Sequence, residues 1–371
     1  MRAVVLEAAQ HVVVADVGVP QLEPGEVLVR IERAGVCGSD VAVFSGKRQA
    51  EYPLIMGHEA VGTIVDSRMQ NRPVGMHPSV ESEQNRPVGM HPTDAEENRP
   101  VGMHPAADAV KNRPVGMRVV IEPNIPCGTC RICCRGLGNV CPFKRSLGMN
   151  SPGAFADYVA IPAEFVHPLP DNISWEDAVG IEPLAVAVHA IRTSGMRTGE
   201  EVAVVGCGAE GLLLVQVAVA HGARVLAADL HPEPLAQARE MGAEETLVLG
   251  RDGAADYVAT HWCPSVVFEA AGASAALEFA LSAVAPGGKV VGVGLGTTPV
   301  EVVPLQFVRR GLSLVASLIY DHPTDFLRAI ELVSSGQIRP SSLLTRSIDL
   351  EELPSAFVDG HHHGKMQVRL R

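Results

Sequence analysis

The chain is poor in positive charge. Its 30 Lys and Arg stand against 42 Asp and Glu, a formal net charge of −12. That balance argues against a nucleic-acid partner, whose surface needs a concentrated basic stripe. Charge of either sign is sparse, 19% against 47% hydrophobic residues over 371 positions, so the chain can bury a large core and its length suits two or three domains. No long apolar run is uninterrupted. The most apolar stretch, VAVVGCGAEGLLLVQVAVAHGA, is broken by Glu210 and Gln216 and carries glycines, which makes a poor membrane span. The opening residues lack a charged n-region followed by an apolar core and a cleavage site, so a cytoplasmic protein without membrane contact is the expectation. The eight cysteines are unevenly spread, most of them crowded between Cys127 and Cys141. In a reducing compartment such crowding favours metal ligation over disulfides.

What is present divides the chain in two. The first 170 or so residues are rich in Val, Ile, Gly and Pro, with short runs such as EVLVRIERAG, EAVGTIVD, RVVIEP and FADYVAIP, which read as strands joined by turns. From about Glu201 apolar runs alternate with amphipathic stretches of helical length. VAVVG, RVLAADL, ETLVLG, SVVFEAAG, KVVGVGLG and LSLVASLI predict six strands with helical crossovers, a doubly wound parallel sheet of an α/β protein. The tail offers a helix, TDFLRAIELVSSG, and a closing strand, KMQVRLR, expected to rejoin the first unit. The predicted units are 1–182 with 319–371, and 183–318.

The letters NRPVGM begin at Asn71, Asn85, Asn98 and Asn112. The repeat is shorter than helical solenoid units and lacks the apolar periodicity that stacks one copy on the next. In the first three copies His-Pro follows, at His77, His91 and His104, and proline cannot continue a central strand. Only the fourth copy runs into RVVIEP. Residues 71–111 are therefore expected to be a weakly ordered extension at the tip of a β-hairpin. The regular His spacing and the later GHHHGK are read as features of solvated loops rather than metal sites.

VAVVGCGAEG places Gly206, Gly208 and Gly211 as G-x-G-x-x-G between an apolar strand and an apolar helix, with Asp229 closing the next strand. This context is what the dinucleotide fingerprint requires. Gly206 permits the tight turn, Gly208 lets backbone approach the pyrophosphate, and Gly211 lets helix pack on strand. Asp229 would accept from the adenosine ribose hydroxyls and repel a 2′-phosphate, favouring NAD over NADP.

CGTCRICCRGLGNVC supplies Cys127, Cys130, Cys133 and Cys141, a set suited to a closed tetrahedral zinc site that orders a loop too small for its own core. Cys134 could replace Cys133 in principle, and an iron–sulfur cluster is the competing use of such spacing. Cys37, His58, Glu59 and Glu182 are spread out, and spacing alone does not assemble them.

CGSD, GHEAVG, the four-cysteine lobe, GAFADYVAIPAEFVHPLPD, EPLAVAVHA and the glycine fingerprint follow one another in an order that resembles the zinc-dependent medium-chain alcohol and polyol dehydrogenases, the sorbitol and threonine dehydrogenase branch above all. The resemblance covers nearly the whole chain apart from the repeats. It implies a β-rich GroES-like catalytic domain and a Rossmann domain, with two zinc ions per chain. Cys37 and His58 become ligands of the catalytic zinc, with Glu59 or Glu182 supplying the carboxylate, and the four-cysteine lobe holds the structural one. Such a zinc keeps a position open and lowers the pKa of a bound alcohol, so that a zinc alkoxide can release hydride to NAD. Ser39 would be the first carrier of the hydroxyl proton and Asp40 would orient His58. The expected reaction is oxidation of a secondary alcohol, a polyol, sugar-like or amino alcohol, to a ketone. A homodimer or homotetramer assembled through the nucleotide unit is implied by the resemblance. The alternatives are a zinc-independent NADPH reductase and a non-catalytic NAD-binding scaffold.

Overall fold

The computed structural model describes residues 1–67, 113–250, 252–359 and 364–371. The expectations for 71–111 and for His361–His363 fall outside them. The N-terminal part contributes β1 (Arg2–Ala8), β2 (His11–Asp16), β3 (Glu26–Val36), helix α1 (Gly38–Phe44), β4 (Leu54–Ile55), β5 (Glu59–Ser67), β6 (Arg118–Ile121), β7 (Asn124–Ile125), β8 (Arg145–Ser146), β9 (Tyr158–Pro162) and β10 (Val166–Pro168). Helix α2 (Ile181–Ser194) leads to β11 (Glu201–Val205), α3 (Ala209–Ala220), β12 (Arg224–Asp229), α4 (Pro232–Glu240), β13 (Glu245–Val248), β14 (Val266–Glu269), α5 (Ser274–Ala283), β15 (Lys289–Gly292) and β16 (Ser313–Ala316). The chain then returns through α6 (Thr324–Ser334) to β17 (Leu344–Asp349) and β18 (Lys365–Arg369).

All six runs predicted after Glu201 form strands of one parallel sheet, ordered β13-β12-β11-β14-β15-β16. Its central strands β11, β12 and β14 carry continuous apolar runs, Val202–Val205, Val225–Ala228 and Val266–Phe268, with charged residues only at their ends, because both faces are covered. In β11, Val202 and Val204 enter one core while Ala203 and Val205 enter the other. The strand order reverses beside β11, which places the ligand crevice of such sheets at the carboxyl ends of these strands.

The other large sheet has seven strands, β10-β6-β5-β3-β18-β17 with β9 also on β3. Here β18, from the far end of the chain, lies antiparallel to β3, with Met366 opposite Val36 and Arg369 opposite Arg33. β5 and β6, which flank the repeats, pair antiparallel from Ala60/Ile121 to Thr63/Arg118, and Ile64 exchanges backbone hydrogen bonds with Gly116 and Met117 of the fourth copy. Helix α2 joins the two sheets. Its Ile181, Leu184, Val188 and Ile191 share one core with Val61 and Val120 of the seven-stranded sheet and with Val202 and Leu213 of the parallel unit. No described helix is long and apolar enough to cross a membrane.

Candidate active site

Two glycines of the fingerprint are required by sterics. At Gly206, φ is +89° and a Cβ would meet Ala271 at 2.7 Å; at Gly211 a Cβ would meet the Gly206 carbonyl oxygen at 1.8 Å. Gly208, the N-cap of α3, differs: a Cβ there would meet nothing within 4 Å among the described residues. The open space in front of the helix is a cradle into which phosphates fit, with the first amides of α3 as donors. Asp229 is locked at the end of β12, Oδ2 accepting from the Cys207 amide at 2.7 Å and Oδ1 from the His231 amide at 2.9 Å.

The four-cysteine lobe lies between β7 and β8. Its sulfurs are 3.6 Å apart for Cys130–Cys133 and Cys127–Cys141, 3.8 Å for Cys130–Cys141 and 3.9 Å for Cys127–Cys133. Tetrahedral coordination at a Zn–S distance of about 2.3 Å requires sulfurs about 3.8 Å apart, whereas a disulfide would bring two of them to about 2.0 Å. The donor set therefore fits one zinc, and the sulfurs lie too close together for an iron–sulfur cluster between them. Cys134 faces away, exposed, its thiol directed at the Thr129 carbonyl. Burial pushes the Cys127 thiol up, but amides of Thr129 and Cys130 and neighbouring thiols outweigh it and bring it to about 6, a thiolate-favouring environment.

The dispersed set also converges. Ligand atoms of Cys37, His58 and Glu59 lie within 4.8 Å of one another. Each position has a local cause. Cys37 is the N-cap of α1, and Asp40 in the first turn accepts from the Cys37 amide through Oδ2 at 2.9 Å. The other oxygen of Asp40 is 3.1 Å from His58 Nδ1, which fixes the ring and turns Nε2 to the cluster. Glu59 opens β5 opposite Gly35 of β3, where a Cβ would fall 2.0 Å from Glu59 Oε2. Glycine at 35 is thus what makes room for the carboxylate. Glu59 Oε1 is ion-paired with Lys365 of β18, while Oε2 is buried with no hydrogen-bond partner among the described residues. A sealed, unpartnered carboxylate oxygen beside a thiol and an oriented imidazole is the donor set of an open zinc site, so these residues fit the metal.

Ser39 lies in the first turn of α1, partly buried, two residues after Cys37. Glu182 stands outside the close trio, buried in the first turn of α2. Burial pushes its carboxyl up to about 7, with His58 opposing and Glu59 adding. The Tyr320 hydroxyl donates to Glu182 and accepts from Asn124 Nδ2 at 2.7 Å. Burial would pull His58 down, but Asp40 and Cys37 outweigh it and hold the imidazole well above its ordinary value. The pocket therefore attracts positive charge. Sequence reasoning missed Lys365, Tyr320, Asn124 and the orientation of Glu210. Lys365 lies 306 residues from its partner, and no local spacing announces such a pair.

The model of the alcohol dehydrogenase GroES-like domain matches residues 23–81 and 101–171, and that of the zinc-binding dehydrogenase matches 210–335; together they span more than half of the chain. Sorbitol dehydrogenase of Bacillus subtilis (strain 168) is 28% identical over 367 residues, covering 96% of this chain and 92% of that protein. A Sinorhizobium meliloti 1021 protein described as a zinc-binding dehydrogenase, solved bound to NADP, superimposes with a TM-score of 0.84 at 26% identity, over 99% of this chain and 98% of that one. An alcohol dehydrogenase, rspB, of E. coli CFT073, solved with NADH, gives a TM-score of 0.82 at 26% identity, over 100% and 99%. From site geometry, fold and matched models alike, the chain belongs to the zinc-type medium-chain alcohol and polyol dehydrogenase family.

Proposed function

We propose that this alcohol and polyol oxidoreductase is NAD-preferring and zinc-dependent and converts a secondary alcohol of a polyol, sugar-like or amino-alcohol compound to the ketone. The observation that carries the reading is the trio Cys37, His58 and Glu59 with its orphaned Oε2. Residues 1–182 and 319–371 form the catalytic unit and 183–318 the nucleotide unit, with the cleft between them.

A zinc held at this site would supply Lewis acidity that lowers the pKa of a substrate hydroxyl, and a bound nicotinamide would supply the hydride acceptor. Cys37, His58 and Glu59 would hold this metal, and Cys127, Cys130, Cys133 and Cys141 would hold a second, structural one. Membership of the close trio favours Glu59 over Glu182 as the carboxylate ligand. Asp40 keeps the His58 ring in place, and Lys365 limits how much negative charge Glu59 brings. Ser39 receives the hydroxyl proton and passes it towards solvent. Glu182, held by Tyr320, borders the pocket as a carboxyl poised near neutrality. The amides of α3 would receive the pyrophosphate, and Asp229 would accept from the ribose hydroxyls.

A cytoplasmic location and assembly into a homodimer or homotetramer through the nucleotide unit are part of the same reading. Supporting the assembly, β16 is the edge strand of the parallel sheet, with Leu314 exposed on it and Leu295, Leu305 and Val308 exposed nearby.

The test is a screen of polyols, amino alcohols and simple secondary alcohols with NAD and NADP, followed by reduced-nicotinamide absorbance, on protein whose zinc is counted. Two zincs per chain and turnover with NAD are expected. One zinc per chain would remove the catalytic metal, and turnover with NADP alone would overturn the role of Asp229.

A further inference from the structure

We propose that Glu210 borders the nicotinamide end of the bound cofactor and makes the site prefer the oxidised, cationic ring over the reduced, neutral one. This rests on the dehydrogenase reading above. Glu210 is the residue before the last glycine of the fingerprint and sits in the first turn of α3. A carboxylate directed at the phosphate cradle would repel the cofactor, so the side chain must be used elsewhere. In the structure it is turned inward: Oε1 is sealed from solvent and has no hydrogen-bond partner among the described residues. Burial, then Glu182 and Glu59, push the carboxyl up to about 8, with Lys365 of β18 opposing. Those three groups, from α2, β5 and β18, belong to or adjoin the metal cluster, so Glu210 faces the reacting end of the cleft.

The path of the cofactor follows from its two anchors. The ribose end is fixed by Asp229 and the pyrophosphate by Gly206 to Gly211, while the ring must reach the alcohol held at Cys37, His58 and Glu59. Glu210 springs from the first anchor and feels the carboxylates of the second, so its carboxyl lies along the span that the ring occupies. A carboxylate oxygen sealed from water without a partner is unfavourable. The cationic ring of NAD relieves it, and the uncharged ring of NADH does so less. The reduced cofactor is then the form that leaves more readily.

The experiment measures dissociation constants of NAD, NADH and ADP-ribose by calorimetry on zinc-loaded wild type, Glu210→Gln and Glu210→Leu. At about pH 9, above the raised value of about 8 so that the carboxyl is ionised, and in a site of effective dielectric near 20, removing the charge should weaken NAD by about tenfold, or about 1.4 kcal/mol, and leave NADH within about twofold. ADP-ribose, which lacks the ring, should bind all three proteins alike. A loss shared equally by NAD and NADH, a loss that ADP-ribose also suffers, or no loss in either variant would overturn the proposal. Wild-type protein that binds neither NAD nor NADH would instead sink the dehydrogenase reading, and this inference with it.

Discussion

The four-cysteine lobe and the cluster of Cys37, His58 and Glu59 are built on opposite plans. The four-cysteine lobe draws every donor from Cys127 to Cys141, and its geometry needs only one loop to close. The second cluster gathers Cys37 from α1, His58 and Glu59 from the start of β5, Lys365 from β18 and, further out, Glu182 from α2 and Tyr320 beyond β16. A local site of like donors can be complete while the rest of the chain is loose. A dispersed site of unlike donors exists only when two sheets and a connecting helix are in place, and that dependence lets it hold an open position, an oriented imidazole and a partly neutralised carboxylate together.

The contrast can be broken at its centre by Cys37→Ser. Turnover is expected to fall on the order of 10³-fold, the scale of several kcal/mol of lost charge stabilisation, with zinc falling from two per chain to one. Full activity would remove the metal mechanism. At the other cluster, Cys130→Ser should also lose one zinc, but its main effect should be on stability, lowering Tm by roughly 5–10 °C. Lobe and cleft would prove coupled if kcat at low temperature fell as far as in the Cys37 variant.

Lys365→Met tests whether Glu59 needs its cation. Activity or metal affinity should fall by about 10–100-fold, the range for partners that tune metal ligands, and Lys365→Arg should recover part of it. Tyr320→Phe removes the hydroxyl held between Asn124 and Glu182, and a drop of about fivefold in kcat with little change in zinc content is expected.

The smallest effect concerns Glu122, whose Oε2 accepts from His167 Nε2 at 2.7 Å and His322 Nδ1 at 2.8 Å. Burial would push Glu122 up, but the two histidines outweigh it and hold it below its ordinary value; burial would pull His322 down, but Glu122 outweighs it and raises it. Stability from the lowered Glu122 is present above pH 4.5 and lost as pH falls through the depressed value. Stability from the raised His322 is complete below pH 6.5 and lost as pH rises through the raised value. His322→Gln should therefore cost about 1 kcal/mol between those limits and less at alkaline pH, measured by urea unfolding across pH.

Legibility in the sequence follows the same division. The six parallel strands were readable because apolar runs buried on both faces alternate with amphipathic helices, and the fingerprint because strand, glycines, helix and Asp229 are contiguous. The cysteine lobe was readable from spacing alone. Cys37, His58 and Glu59 needed the resemblance to a family, since nothing local links them. Lys365 and Tyr320 stayed hidden because their roles depend on which strand lies beside β3 and on where the chain crosses back after β16. Glu210 was visible only as a blemish in an apolar helix; its inward orientation is a property of packing.

The pairing of β18 with β3 also sets an order of events during synthesis. Ribosomes deliver Cys37, His58 and Glu59 early, then the cysteine lobe, then the entire parallel sheet, and only afterwards Lys365. The nascent chain can close its lobe and fold its nucleotide unit while Glu59 still lacks its cation. Completion of the cluster around Glu59 thus waits until translation has passed the last strand of the sheet, and a chain stalled before Lys365 would leave that buried carboxylate without its cation.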